Sequence, residues 1–269
     1  MERRRAPGFA LVELVIVLVI VGVIGLVGYL VLGRGKLSGD KPASAAGQTA
    51  TTGALPVLQS IAGISFGPYD KAAGTSGDFV FSRSAADQVA PNTTMIFMPF
   101  AQDICIDKVK QEGCTQVTEV AMNGLKLGTA VKAAAAGKIT DVQEKEDGGS
   151  SFTTTSADYP GYAIGYNHVS KLTVTAGDMV KAGQVIGMAA PYGDGSFARV
   201  GLYVAKTNSP GQTGINKVCP FDYLDAKAEA AITPALKQFF EDWNGFVGSK
   251  VHVLDDMRRA GCVASHTTE

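Results

Sequence analysis

The side chains able to do chemistry in this 269-residue chain are few, and their spacing excludes more than it suggests. There are three histidines, His168, His252 and His266, and none stands within metal-ligand spacing of another. No His-Glu-x-x-His run occurs, so the helical zinc-hydrolase pattern is absent. The four cysteines, Cys105, Cys114, Cys219 and Cys262, form no Cys-x-x-Cys pair, which argues against a zinc ribbon or a redox site. One acidic residue is out of place. Glu13 is the only charged side chain between Phe9 and Leu32, in a run that is otherwise aliphatic, aromatic or glycine.

That run sets the context for everything after it. Twenty-four helical residues rise roughly 36 Å, enough to cross a hydrocarbon core of about 30 Å. Arg3, Arg4 and Arg5 precede it and should hold its N-terminal end in the cytoplasm. A carboxylate deep in lipid costs on the order of 3 kcal/mol, so Glu13 needs a partner. The arrangement of a basic leader, Gly8, Phe9, three residues, Glu13 and a long aliphatic helix resembles the class III signal of type IV pilins and pseudopilins. The resemblance implies cleavage by a prepilin peptidase between Gly8 and Phe9, N-methylation of Phe9, and filament assembly through Phe9 and Glu13. The Glu13 carboxylate would meet the terminal ammonium of a neighbouring subunit. An ordinary signal anchor with a stray Glu is the plain alternative.

Composition agrees with an exported protein. The net charge is −1, and removing Glu2 and the three leader arginines with residues 1–8 takes it to −3. Neither value gives the basic patch that nucleic acid requires. In an exported protein the cysteines are expected as disulfides, Cys105–Cys114 and Cys219–Cys262 being favoured among three possible pairings. By chain entropy they would contribute about 3 and 4 kcal/mol.

The run 33–53, rich in Gly, Ala, Ser and Thr, reads as a flexible tether. Pilin first helices ordinarily continue into the head, so the tether fits a minor pilin or a head hung from a thin shaft as well as a main shaft subunit. The head begins at Ala54. Leu55–Ala62 is expected to form a helical turn or two, and 79–81 and 94–100 to form strands. From 127 to 224 the pattern is one of short alternating strands separated by glycine turns, which predicts an antiparallel sheet or sandwich. Residues 225–243 carry apolar side chains at helical spacing, with a fresh start at Thr233-Pro234 and an end at Asn244-Gly245. Residues 251–259 are expected as a short helix or a strand.

Four pieces of the head occur in the order found in LytM-type M23 peptidases, and the region is similar to that family. They are Gly128-Thr-Ala-Val-Lys-Ala-Ala-Ala-Ala-Gly-Lys-Ile139, Tyr166-Asn-His-Val-Ser170, Gly177-Asp-Met-Val-Lys-Ala-Gly-Gln-Val-Ile-Gly187 and Cys219-Pro-Phe-Asp-Tyr-Leu224. The family binds zinc through an early His, an Asp and the last His of a His-x-His, leaving a position open for water. Here no His precedes His168, the early motif falls near Thr118–Asn123 without an Asp, and the His-x-His position reads Arg199-Val200-Gly201. His168 matches the family's orienting histidine, and a hydrogen-bonded sheet histidine is its plainest role. His168 and Arg199 are therefore read as remnants of an active site, with no catalytic residue, no metal and no cofactor expected.

The expected architecture is α+β. Residues 1–8 form a leader, 9–32 a pilin-type transmembrane helix and 33–53 a linker. A mostly antiparallel β head follows, in the order N-terminal part (54–117), degenerate M23-like core (118–224) and C-terminal helices (225–269). The expected role is a non-enzymatic filament subunit, held in the inner membrane before assembly and then displayed on the bacterial surface, with other pilin subunits and the prepilin peptidase as partners. The alternative is a membrane-anchored regulator that binds peptidoglycan or a wall amidase.

Overall fold

The computed structural model describes residues 54–89, 94–107, 112–146, 148–207 and 215–263; the leader, apolar segment and tether expected over 1–53, with Gly8, Phe9 and Glu13, lie outside them, as does His266. Among the described residues no helix is long and apolar enough to cross a membrane.

The chain enters through two-residue strands β1 (Tyr69–Asp70), β2 (Thr75–Ser76) and β3 (Phe79–Val80), then a short helix α1 (Arg83–Val89) and strand β4 (Phe97–Met98). Leu55–Ala62 forms no helix. Leu58 bridges Leu224 instead, with its N–H on Tyr223 O at 2.7 Å and its carbonyl accepting from Asp225 N at 2.9 Å. Tertiary pairing overrides a weak local preference there. The stretch around Cys105 and Cys114 is a hairpin of β5 (Asp103–Asp107) and β6 (Glu112–Gln116). The two cysteines stand opposite each other and are disulfide-bonded.

The main sheet takes up the predicted alternation. Its strands are β7 (Val120–Leu125), β8 (Ala130–Lys132), β9 (Gly137–Glu144), β10 (Ser150–Thr155), β11 (Tyr162–Ser170), β12 (Met179–Val180), β13 (Val185–Tyr192), β14 (Phe197–Thr207) and β15 (Ile215–Val218). The order across it is β1-β2-β3-β7-β14-β13-β11-β10-β9-β12, with β4 beside β7, β8 beside β13, β15 beside β14, and β11 also paired to β14. Every pairing is antiparallel. The predicted turns hold the β11–β13 connection. Asp178 accepts from Thr175 N at 2.8 Å, Gln184 accepts from Lys181 N at 3.0 Å, and Gly177 and Gly183 take the left-handed φ values (100° and 79°) that such tight turns require.

One long helix comes next, α2 (Ala226–Val247), capped by Asp225, whose side chain accepts Ala228 N at 2.6 Å. It runs straight through Pro234, so the fresh start expected at Thr233-Pro234 does not occur. Ala230 and Pro234 are both exposed, and the carbonyl that Pro234 leaves unbonded meets solvent. The helix ends at Gly248 (φ 73°) rather than at Asn244-Gly245. Asn244 anchors the segment after the helix: its side-chain oxygen accepts Val251 N and His252 N, and its amide donates to His252 O. Beyond it come a single 3₁₀ turn, Leu254–Asp256, and the strand pair β16 (Met257–Arg259) and β17 (Cys262–Val263), tied back by the Cys219–Cys262 disulfide.

The apolar stripe of α2, made by Leu236, Phe239, Phe240, Trp243 and Val247, is buried against aromatic residues from the start of the head. Phe79 lies 4.6 Å from Phe239, Phe97 lies 5.3 Å from Phe240, and Phe81 lies 5.0 Å from Trp243. The two ends of the head therefore share one core.

Candidate functional site

Strand alternation sorts β11 and β14 into two faces. Ile164, Tyr166, Leu202 and Val204 are buried in the core. Gly165 and Asn167 on β11 pair with Tyr203 and Gly201 on β14 and occupy the opposite face. Gly201 also pairs with Ala121 of β7, which brings the start of β7 to the same place.

Glu119, on the bend before β7, lies across Gly201. A Cβ on Gly201 would fall 2.6 Å from Glu119 Cδ and 2.8 Å from its Oε2, so the carboxylate rests directly on the bare glycine and would have to shift for any side chain there. Glu119 Oε2 accepts a hydrogen bond from Asn167 Nδ2. The Tyr203 ring covers Gly165, where any side chain would collide with it. Lys217 of β15 places its ammonium 4.0 Å from the centre of that ring and donates to Thr118 Oγ1 at 3.3 Å. The Tyr203 hydroxyl is pushed above its ordinary pKa, first by burial and then by the negative charges of Glu119 and Asp141. A cavity of about 530 Å³ elsewhere in the head, lined by Ser60, Lys132, Gly183 and Asp225, shares no residue with this face.

The residues expected from the sequence take distinct places. His168 is half-buried, with a left-handed backbone (φ 58°), at the point where β11 exchanges partners: Asn167 pairs with Gly201 of β14 and Val169 with Ala189 of β13. Arg199 sets its guanidinium 5.8 Å from the centre of the Tyr192 ring. Tyr192 is pushed up to about 12 by burial, with the Gly124 N–H on its oxygen and Arg199 pulling the other way. Motif position in the sequence does not single out Glu119, Asn167, Tyr203 or Lys217. The signal available is the pairing of Gly201 with a neighbouring acidic residue, which only strand register reveals.

The donor set does not suit zinc. Three lone-pair ligands from His, Cys or carboxylate are needed. Around Gly201 stand the Glu119 carboxylate, which takes the Asn167 amide, a glycine with no side chain and the cationic Lys217, with the Asp141 carboxylate acting on Tyr203 through its charge. Among the described residues no group of three or more His, Cys, Asp or Glu stands close enough to share an ion.

Residues 120–210 match the sequence profile of Peptidase family M23, and residues 3–29 match that of the prokaryotic N-terminal methylation motif. The chain thus carries an M23 domain behind a signal of the type IV pilin kind. Among solved structures it is similar to the catalytic domain of the prophage-encoded M23 protein EnpA from Enterococcus faecalis, with 22% identity over 46% of this chain and 88% of that one and a TM-score of 0.34. The catalytic domain of the antimicrobial peptidase lysostaphin from Staphylococcus simulans is 24% identical over 48% of this chain and 88% of that one, with a TM-score of 0.35. Lysostaphin at greater length is 19% identical over 66% of this chain, with a TM-score of 0.36, and this chain spans 56% of it. Comparison with curated proteins gave no match.

Proposed function

We propose that this chain is a type IV pilin-like filament subunit whose head is a non-catalytic M23 domain. The match of residues 3–29 to the methylation motif carries the reading. In it, a prepilin peptidase cuts between Gly8 and Phe9 and Phe9 is methylated. Residues 9–32 hold the precursor in the inner membrane, and Glu13 meets the Phe9 ammonium of a neighbouring subunit on assembly. Residues 33–53 tether the head, whose two disulfides suit an oxidising exterior. The non-catalytic assignment rests on the donor set around Gly201 and predicts less than stoichiometric zinc in the purified full-length protein.

Mass spectrometry of sheared surface filaments tests the reading. The expected result is an abundant subunit beginning at methylated Phe9. Protein found only in membranes, with residues 1–8 attached, overturns it. Glu13→Val should insert normally and fail to assemble.

A second reading, a wall-facing binder of peptidoglycan or of an amidase, is favoured by the polar face of Glu119, Asn167, Tyr203 and Lys217. Recovery from the envelope alone would select it.

A further inference from the structure

The cavity lined by Ser60, Lys132, Gly183 and Asp225 has no part in either reading of the chain. Its volume, about 530 Å³, falls within the range of small-molecule sites. Three parts of the head wall it: the segment 59–65, the residues Lys132 and Gly183 of the sheet, and the first turns of α2. Backbone bonds fasten these parts together. Lys132 N donates to Ala62 O at 2.9 Å, Gln59 N to Ala134 O at 2.8 Å, Gly183 N to Ala133 O at 2.8 Å, and Asp225 N to Leu58 O at 2.9 Å. The cavity is therefore preformed.

Its lining divides into an apolar part, Ile64, Ala228, Ala231 and Ile232, and a charged part. Lys132 and Lys227 supply two cations, and neither ammonium makes a hydrogen bond or ion pair among the described residues. The Lys132 stem lies on Gly63, which also lines the cavity: a Cβ there would fall 2.7 Å from Lys132 Cβ and 2.9 Å from its Cδ. Asp225 is the one carboxylate of the lining, and its Oδ1 is taken by Ala228 N at 2.6 Å. Asp78, outside the lining, accepts Ser65 N at 2.7 Å, and Lys126 donates to Gly77 O beside it at 2.8 Å. The lining thus carries two positive charges and one negative.

We propose that this cavity binds a small amphipathic monocarboxylate, its apolar body against Ile64 and Ile232 and its charge met by Lys132 and Lys227. The excess of one positive charge complements a monoanion. A phosphate monoester would bring a second negative charge toward Asp225. An amine or a metal ion would face two ammonium groups with one carboxylate to hold it. A neutral apolar molecule would desolvate the lysines without compensation. Most of the lining falls outside residues 120–210, so the site belongs to what this chain adds around its M23 domain and is independent of filament assembly.

The test titrates isotope-labelled full-length protein in detergent with phenylacetate, phenylacetamide and inorganic phosphate, followed by NMR at the amides of Gly63, Gly183 and Ala228. Phenylacetate should shift these amides saturably, and phenylacetamide should bind about tenfold more weakly for want of the charge. Lys132→Met should weaken phenylacetate by about tenfold, as loss of a charge-assisted contact does. Lys227 is more exposed, and Lys227→Met should weaken it by about threefold. Asp225→Asn keeps a good helix cap while removing the opposing charge, and should tighten binding by about threefold. Ala231→Phe, at an exposed position of α2, should fill the cavity and abolish the shifts. If Lys132→Met does not fold, Asp225→Asn and Ala231→Phe decide. No saturable shift with phenylacetate overturns the proposal, as does equal binding of the acid and the amide. Affinity unchanged by Ala231→Phe, or by the charge variants together, overturns it too. Phosphate binding as tightly as phenylacetate would overturn the assignment to an amphipathic acid.

Discussion

The two faces of the β11–β14 sheet contrast within a few residues. On the inner face Tyr166 is fully buried and stacked on Phe152 at 5.0 Å, and its oxygen accepts Ala134 N at 2.8 Å. On the outer face Asn167 and Gly201 present an amide and a bare backbone, with Glu119 lying across them. Because strand side chains alternate with period two, one face can keep an apolar core while the other exchanges all its chemistry. The pattern that specifies a fold and the residues available for chemistry therefore lie on separate faces of these strands.

The contrast breaks first if the inner face proves dispensable. Tyr166→Ala should cost about 3–5 kcal/mol, since it removes a buried ring, leaves a cavity and strips Ala134 N–H of its acceptor. Urea denaturation of the full-length protein measures this. A loss below about 1 kcal/mol would mean that the inner face does not hold the sheet together.

Legibility in the sequence divides along the same line. The alternation from 127 to 224, the Gly177 and Gly183 turns, and the helical spacing ending in Phe239, Phe240 and Trp243 are local signals, and each produces the element it indicates. The breaks expected at Pro234 and Asn244 do not appear, because burial of Leu236, Trp243 and Val247 on one stripe outweighs a single missing hydrogen bond on the exposed side. Leu55–Ala62 departs from its expected helix for a related reason. Its partners, Tyr223 and Asp225, are more than 160 residues away, beyond any local window. At the candidate site, the sequence exposes His168 and Arg199 through motif position alone. It cannot expose Glu119 with Asn167, which meet only through the register of β7, β14 and β11.

His252 extends the comparison to the C-terminal segment, where a polar residue behaves as core. It is 3% exposed, stacks on Phe240 at 4.3 Å, and has no hydrogen-bond partner for either ring nitrogen among the described residues. Burial pushes its pKa down to about 3, from an ordinary 6.5. The folded value lies below the unfolded one, so the stability associated with the neutral ring is present above about pH 6.5 and is lost as pH falls toward 3. Between pH 7 and pH 5 the loss should be about 2 kcal/mol. Urea midpoints across that range should fall in the wild type, and His252→Leu should flatten this part of the profile. An unchanged slope in the variant would place the titrating group elsewhere.

The smallest effect belongs to the outer face, and its smallness sharpens the contrast. Glu119→Gln retains the side-chain length and an oxygen for the Asn167 N–H, so the bond across Gly201 survives without its charge. Glu119 is half-buried and Asn167 is also partly open to solvent, so water can replace much of the lost interaction. The expected change in stability is within about 0.5 kcal/mol, as for ordinary surface substitutions. A loss several times larger would show that Glu119 is a structural tie between β7 and β11. The outer face would then be held together by this carboxylate as firmly as the inner face is by Tyr166. A near-neutral result would show that the inner face alone holds these strands, with Glu119 and Asn167 adding a solvent-exchangeable contact on the outer side.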